Sequence, residues 1–129
     1  MLLVLNVGSS SLKAAVLEAG AAHTKRLWHA DAQRQGPLGP QLDQWLAPLL
    51  ELWWPRLKAA GHRVVHGGER FTAPCRITPA VLQELEGVSA LAPLHNPPAL
   101  EAIRWLQQRQ PGLEQWACFD TAFHASLPP

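Results

Sequence analysis

Two short apolar runs, separated by a glycine and a run of serines, open the chain and restrict what it can fold into. Leu2 to Val7 and Leu12 to Leu17 are rich in strand-forming side chains, and Gly8-Ser9-Ser10-Ser11 between them is turn chemistry. The pattern predicts a β-hairpin. Both strands are nearly all apolar rather than alternating, so the hairpin is expected centrally in a sheet covered on both faces.

The rest of the chain adds strands and helices around that hairpin. Thr24 to Ala30 predicts a third strand, and Asp31 to Pro40 a loop containing Gly36, Pro37, Gly39 and Pro40. Between Gln41 and Ala60, Leu42, Trp45, Leu46, Leu49, Leu50 and Trp53 recur at helical spacing. Pro48 and Pro55 should break that stretch into two short helices. Arg63 to His66 reads as a strand ending at Gly67-Gly68. Thr78-Pro79 is a cap residue followed by a proline suited to the first helical position, with Ile77 placed to staple against Leu82; that helix should end near Gly87. Leu91 to Asn96 reads as extended or loop. Asn96-Pro97 repeats the cap signal before a helix through Leu100, Ile103 and Leu106, which stops before Pro111-Gly112. Glu114 to Phe119 predicts a last strand, ending at Asp120. This order fits an α/β domain with a mixed sheet and covering helices, and neither a sandwich nor a bundle.

Composition narrows the function classes. The chain has 129 residues, 47% of them hydrophobic, which suffices for one domain with a real core but not for two domains closing over two substrates. Its 11 basic and 10 acidic residues leave a net charge of +1, so no nucleic-acid footprint or basic membrane face is expected. The N-terminus lacks the charged region and cleavage site of a signal peptide, and no apolar stretch is long enough to span a membrane. Cys75 and Cys118 lie in separate elements, with no CxxC, and read as reduced thiols in a cytoplasmic protein. Cys118, inside an apolar strand, is expected to be buried. Six tryptophans supply apolar area, and several are expected at surfaces that other sequence covers.

Four segments carry candidate chemistry. In Asn6-Val7-Gly8-Ser9-Ser10-Ser11-Leu12-Lys13 a strand ends in a turn where glycine lets backbone N–H groups approach an anion. Ser10 and Ser11 add donors, Lys13 adds charge, and Asn6 can hold a phosphate oxygen or a metal-bound water. An ordinary polar hairpin turn explains the same residues, and the P-loop pattern is absent. In His62-Arg63-Val64-Val65-His66-Gly67-Gly68, Arg63 can grip a carboxylate or phosphate through two parallel hydrogen bonds; a surface arginine before a turn is the plainer reading. His95, at the mouth of a helix, either donates to an anion there or satisfies a backbone carbonyl. Asp120, at the end of an apolar strand, is placed either for catalysis and metal contact or for helix capping. HExxH, GxSxG and zinc-ligand patterns are absent.

Taken together, LNVGSSSLK, HRVVHGGE, LAPLHNP and FDTAFH resemble, in this order, four motifs of the acetate kinase family. The segment from Ala19 to Ala60 matches that family only loosely and is short. The resemblance implies a ribonuclease-H-like domain of the actin-like ATPase superfamily. It implies reversible transfer of a phosphoryl group between ATP and acetate, giving acetyl phosphate and ADP, with Mg2+ as cofactor. It places Asn6 near magnesium and phosphates, and Ser10, Ser11 and Lys13 in the phosphate signature. Arg63 would hold the carboxylate substrate and then the moving phosphoryl group, His95 would line the cleft, and Asp120 would orient substrate and contact magnesium. Asn6, Arg63 and Asp120 are therefore expected to converge near the ends of neighbouring strands. A homodimer is implied, with no nucleic-acid or membrane partner. Family members are about three times this length, so residues 1–129 are expected to be an incomplete N-terminal domain, inactive alone, without the nucleotide-binding domain. Two alternatives stay open: a propionate or butyrate kinase, and a non-catalytic domain with a binding role.

Overall fold

The computed structural model describes residues 1–8, 10–19, 24–64, 74–89 and 96–119. Strands β1 (Leu2–Val7), β2 (Ser11–Ala19) and β3 (Thr24–Gln33) form an antiparallel meander. Helix α1 (Leu38–Leu49) and a 3-10 turn (Trp54–Arg56) lead into β4 (Ala59–Val64). Then come a two-residue strand β5 (Cys75–Arg76), helices α2 (Pro79–Ser89) and α3 (Asn96–Arg109), and β6 (Glu114–Phe119). The sheet order is β3-β2-β1-β4-β6-β5. β1, β4 and β6 run parallel at its centre, and β5 pairs antiparallel with β6.

Side-chain alternation explains the layering. Leu3, Leu5 and Val7 of β1, Leu12, Ala14 and Val16 of β2, Ala60 and Val64 of β4 and Ala117 of β6 are all buried. They share one face of the sheet, because strand residues two apart point the same way. Leu38, Leu42 and Leu46 of α1 and Ala102, Trp105 and Leu106 of α3 pack on the β1–β2 part of that face. Leu85 of α2 and Leu100 and Ile103 of α3 pack on the β4–β6 part. All three helices thus lie on one side. Among the described residues the opposite face is uncovered, and Leu2 and Trp116 on it are each 37% exposed.

The sheet was expected to be covered on both faces, and the described residues show the covering of one. The hairpin is apolar on both sides, but the described helices shield only one. For the same reason Cys118 is half-buried rather than buried. The loop expected over Asp31 to Pro40 is shorter: β3 continues to Gln33, because its backbone goes on pairing with Ser11 and Lys13. The helical stretch expected to Ala60 ends sooner, since Ala59 and Ala60 pair with Leu2 and Leu3 and start β4.

Local signals held where the chemistry was explicit. Pro48 lies in the last turn of α1, and Leu50 closes that helix by donating its N–H to the Leu46 carbonyl at 3.0 Å. The Thr78 hydroxyl accepts the Val81 N–H at 3.2 Å, as an N-cap residue should. α3 is tied to α1 by the Trp105 indole N–H, which donates to Asp43 at 2.8 Å, and by the Arg109–Asp43 ion pair. It is tied to α2 by the Arg104–Glu86 ion pair. Val65, His66 and the segment 91–95 lie outside the described residues.

Candidate functional site

The parallel strands β1, β4 and β6 end on one edge of the sheet, at Val7, Val64 and Phe119. In open α/β sheets ligands bind beyond the carboxyl ends of the strands. Asn6 pairs with Lys13 of β2, and Lys13 with Asp31 of β3. On the other side Leu5 is level with His62, so the next step of that register sets Asn6 level with Arg63, which pairs with Cys118. One row across the sheet therefore reads Cys118, Arg63, Asn6, Lys13, Asp31. All of it lies on the uncovered face, because Leu5 and His62, one residue back, are buried against the helices.

The sequence motif around Arg63 thus divides between two jobs. His62, 1% exposed, faces the core. Its Nε2 lies 2.6 Å from Gln115 Oε1, and the Gln115 amide N–H donates to the Ile103 carbonyl at 3.2 Å. Burial pushes the His62 imidazole down to about 4, with the Gln115 bond acting in the opposite direction. Arg63, the next residue along the strand, is on the opposite face.

The Gly8–Ser11 turn is held by bonds the sequence did not announce. The Gly8 N–H donates to the Ser11 carbonyl at 3.0 Å. Arg34, just past β3, donates its backbone N–H to the Ser10 carbonyl and its Nη1 to the Gly8 carbonyl, each at 3.0 Å. Its Nε is buried without a hydrogen-bond partner among the described residues. Arg34 was hidden because it falls in a stretch read as loop; only the continued β2–β3 pairing carries it back to the turn. Ser10 and Lys13 are exposed and Ser11 is half-buried.

The structure pairs Asn6 with Lys13, and Arg63 lies one step beyond the paired Leu5 and His62. Asp120 follows β6 directly, but it lies outside the described residues, as does His95. A cavity of about 270 Å3 opens beside Asn6 and Lys13. A second, of about 300 Å3, is lined by Leu2, Gly61, Trp116 and Cys118 and is almost wholly apolar. Among the described residues no group of three or more His, Cys, Asp or Glu could hold a metal. A magnesium ion asks for less: it keeps several waters and binds one or two protein ligands plus phosphate oxygens. An amide oxygen from Asn6 on the uncovered face fits that requirement.

Solved structures define the class first. The chain superposes on a Porphyromonas gingivalis acetate kinase with a TM-score of 0.78 at 29% identity, covering 98% of this chain and 39% of that one. On a propionate kinase from Francisella tularensis the TM-score is 0.75 at 34% identity, covering 98% and 38%. The fold is the ribonuclease-H-like α/β fold of the actin-like ATPases. The acetokinase family model matches residues 52–129, and the chain belongs to that family. Acetate kinase 1 of Vibrio cholerae is 41% identical over 151 residues, an alignment that takes in 99% of this chain and 38% of the Vibrio protein. The chain therefore spans well under half the length of the relatives it matches.

Proposed function

We propose that residues 1–129 form the N-terminal domain of a carboxylate kinase that transfers a phosphoryl group reversibly between ATP and acetate. The reading is supported by register: Asn6 pairs with Lys13, and the β1–β4 ladder, paired through Leu5 and His62, continues one step to Asn6 and Arg63 at the carboxyl ends of adjacent parallel strands. Phosphoryl transfer needs little covalent help from protein; positioning and charge stabilisation do the work. The planar guanidinium of Arg63 holds the acid and then the equatorial phosphoryl oxygens. Lys13 and the Ser10–Ser11 turn, braced by Arg34, bind phosphate oxygens. His95 lines the cleft and Asp120 orients the acid. Asn6 and Asp120 would hold Mg2+, which offsets phosphate charge when bound.

The nucleotide-binding domain is assigned to sequence outside residues 1–129, so this chain alone is expected to be inactive. The full assembly is a homodimer in the cytoplasm. The thiols support a reducing compartment: Cys75 pairs with Ala117 on the helix side, whereas Cys118 faces the other way, so the two are not placed to bond. Among the described residues no helix is long and apolar enough to cross a membrane. The likeness to a propionate kinase supports a second substrate, since one methylene discriminates by only about 1–3 kcal/mol.

The test is acyl phosphate formation by the longer polypeptide containing this domain, with Arg63→Ala and Arg63→Lys. Loss of such a preorganised donor lowers kcat by about 10²–10³, and lysine, a mobile point charge, restores only part of it. A folded alanine variant with kcat within about threefold of the parent, under 1 kcal/mol of barrier, would make Arg63 structural.

A further inference from the structure

The third strand carries a discontinuity that changes which side chains reach the uncovered face. Asp31 pairs with Lys13 and His29 with Ala15, both on that face. Strict alternation would send residue 27 outward next and turn Arg26 toward the helices. Instead the register slips between Val16 and Leu17: Trp28 pairs with Val16, and Arg26 with Leu17. Leu27 is the extra residue, and both Leu27 and Trp28 pack on the core under the helices. The bulge therefore returns Arg26 to the uncovered face, three residues from His29. Bulges occur preferentially at sheet edges and beside active sites, where they re-aim a side chain.

The re-aimed arginine completes a polar concavity. Val4 and Ala15 are in its floor, and Asn6, Lys13, Arg26, His29 and Asp31 surround about 270 Å3 of open space. An ammonium, a guanidinium and an imidazole face a single carboxylate there. The core packing does not require them, since all four of these side chains are exposed. The motifs that define the family resemblance include Lys13 but not Arg26, His29 or Asp31.

We propose that this concavity is an anion subsite continuous with the Asn6–Arg63 site, built to take one end of an extended, multiply charged phosphate chain. Its ligand class rests on the phosphoryl-transfer reading above. Lys13 and Arg26 bind the phosphate oxygens, the guanidinium through two parallel bonds. His29 donates a further bond, while the carboxylate of Asp31, directly across from Lys13, opposes the anion as a like charge. Adjacent strands lie about 4.8 Å apart, so Arg63 and Lys13, two strands apart in that row, are about 10 Å apart. A single phosphate group cannot engage both cations, whereas linked phosphate groups can.

The experiment titrates pyrophosphate into the isotopically labelled 129-residue chain, following backbone amides and the His29 ring by NMR, with Arg26→Ala and Asp31→Asn variants alongside. Saturable shifts at Arg26, His29 and Lys13 are expected. Arg26→Ala should weaken binding about tenfold or more, the worth of one charge-assisted contact. Asp31→Asn should tighten it by removing a like charge. Saturable shifts confined to the Ser10–Lys13 turn, with both variants binding as the parent does, would overturn the β3 subsite and leave the phosphoryl-transfer reading standing. No saturable shift in a chain whose spectrum shows it folded would overturn the subsite and remove the turn as a phosphate site as well.

Discussion

Lowering the pH should loosen this domain through one histidine. Gln115 donates its amide N–H to the Ile103 carbonyl, which turns its Oε1 toward His62. His62 must then donate from Nε2, leaving Nδ1 as a lone pair. Nδ1 is buried without a partner among the described residues. Protonation would place an N–H and a positive charge where nothing accepts them. Burial accordingly lowers the His62 pKa from its ordinary 6.5 to about 4. The unfolded chain binds this proton more readily than the folded one, so stability rises with pH across that window. The contribution is complete above pH 6.5 and is lost as pH falls toward 4. A pKa lowered from 6.5 to about 4 is worth about 3 kcal/mol, a large part of the roughly 5–15 kcal/mol typical of a domain. Urea unfolding followed by tryptophan fluorescence at pH 4 to 7 measures it, with His62→Gln as the reference that cannot titrate. The parent should lose about 3 kcal/mol more than the variant. Should the variant fail to fold, nitrogen NMR of the His62 ring in the parent still decides. A ring that stays neutral and Nε2-protonated at pH 5 agrees with the structure, and a ring that titrates above pH 6 refutes the reasoning.

Two further outcomes follow from the same geometry. Arg34→Met should cost about 1–2 kcal/mol by removing the side-chain bond to the Gly8 carbonyl, read as a fall in Tm; an unchanged Tm would mean that the turn closes without it. Burial pushes both thiols up, further helped by Glu84 for Cys75 and by Cys75 itself for Cys118. Both should therefore react more slowly with a thiol reagent than glutathione does at pH 8, and mass spectrometry after mild oxidation should show no Cys75–Cys118 disulfide. A fast reaction would contradict the burial of the thiols, and a native disulfide the placement of the two cysteines on opposite faces.

What the sequence disclosed depended on how local each cause was. The hairpin, the Thr78 cap and β6 over Glu114–Phe119 follow from neighbouring residues, and each stands where expected. Asp31, His29 and Arg34 were read as strand end or loop because polar side chains on an uncovered face carry no apolar period. Only pairing with β2 shows that Asp31 is in a strand. The bulge at Leu27 was illegible for the same reason. His62 and Gln115 are 53 residues apart, so nothing in either segment announces their bond. Of the candidate site, Asn6, Arg63 and Asp120 were expected to converge through the family motifs; Asp120 lies outside the described residues, and the pairing that sets Lys13 beside Asn6 is a property of register.

A double-mutant cycle decides whether Asn6 and Arg63 act on one ligand. Acyl phosphate formation is measured for the longer polypeptide carrying Asn6→Ala, Arg63→Ala and both changes. Residues that share a ligand couple by about 0.5–3 kcal/mol, whereas independent sites add within about 0.5. With a shared ligand, the double variant should lose at least about threefold less kcat/KM than the product of the two single losses. Strictly additive losses, from variants that fold, would show that the two residues do not share a site.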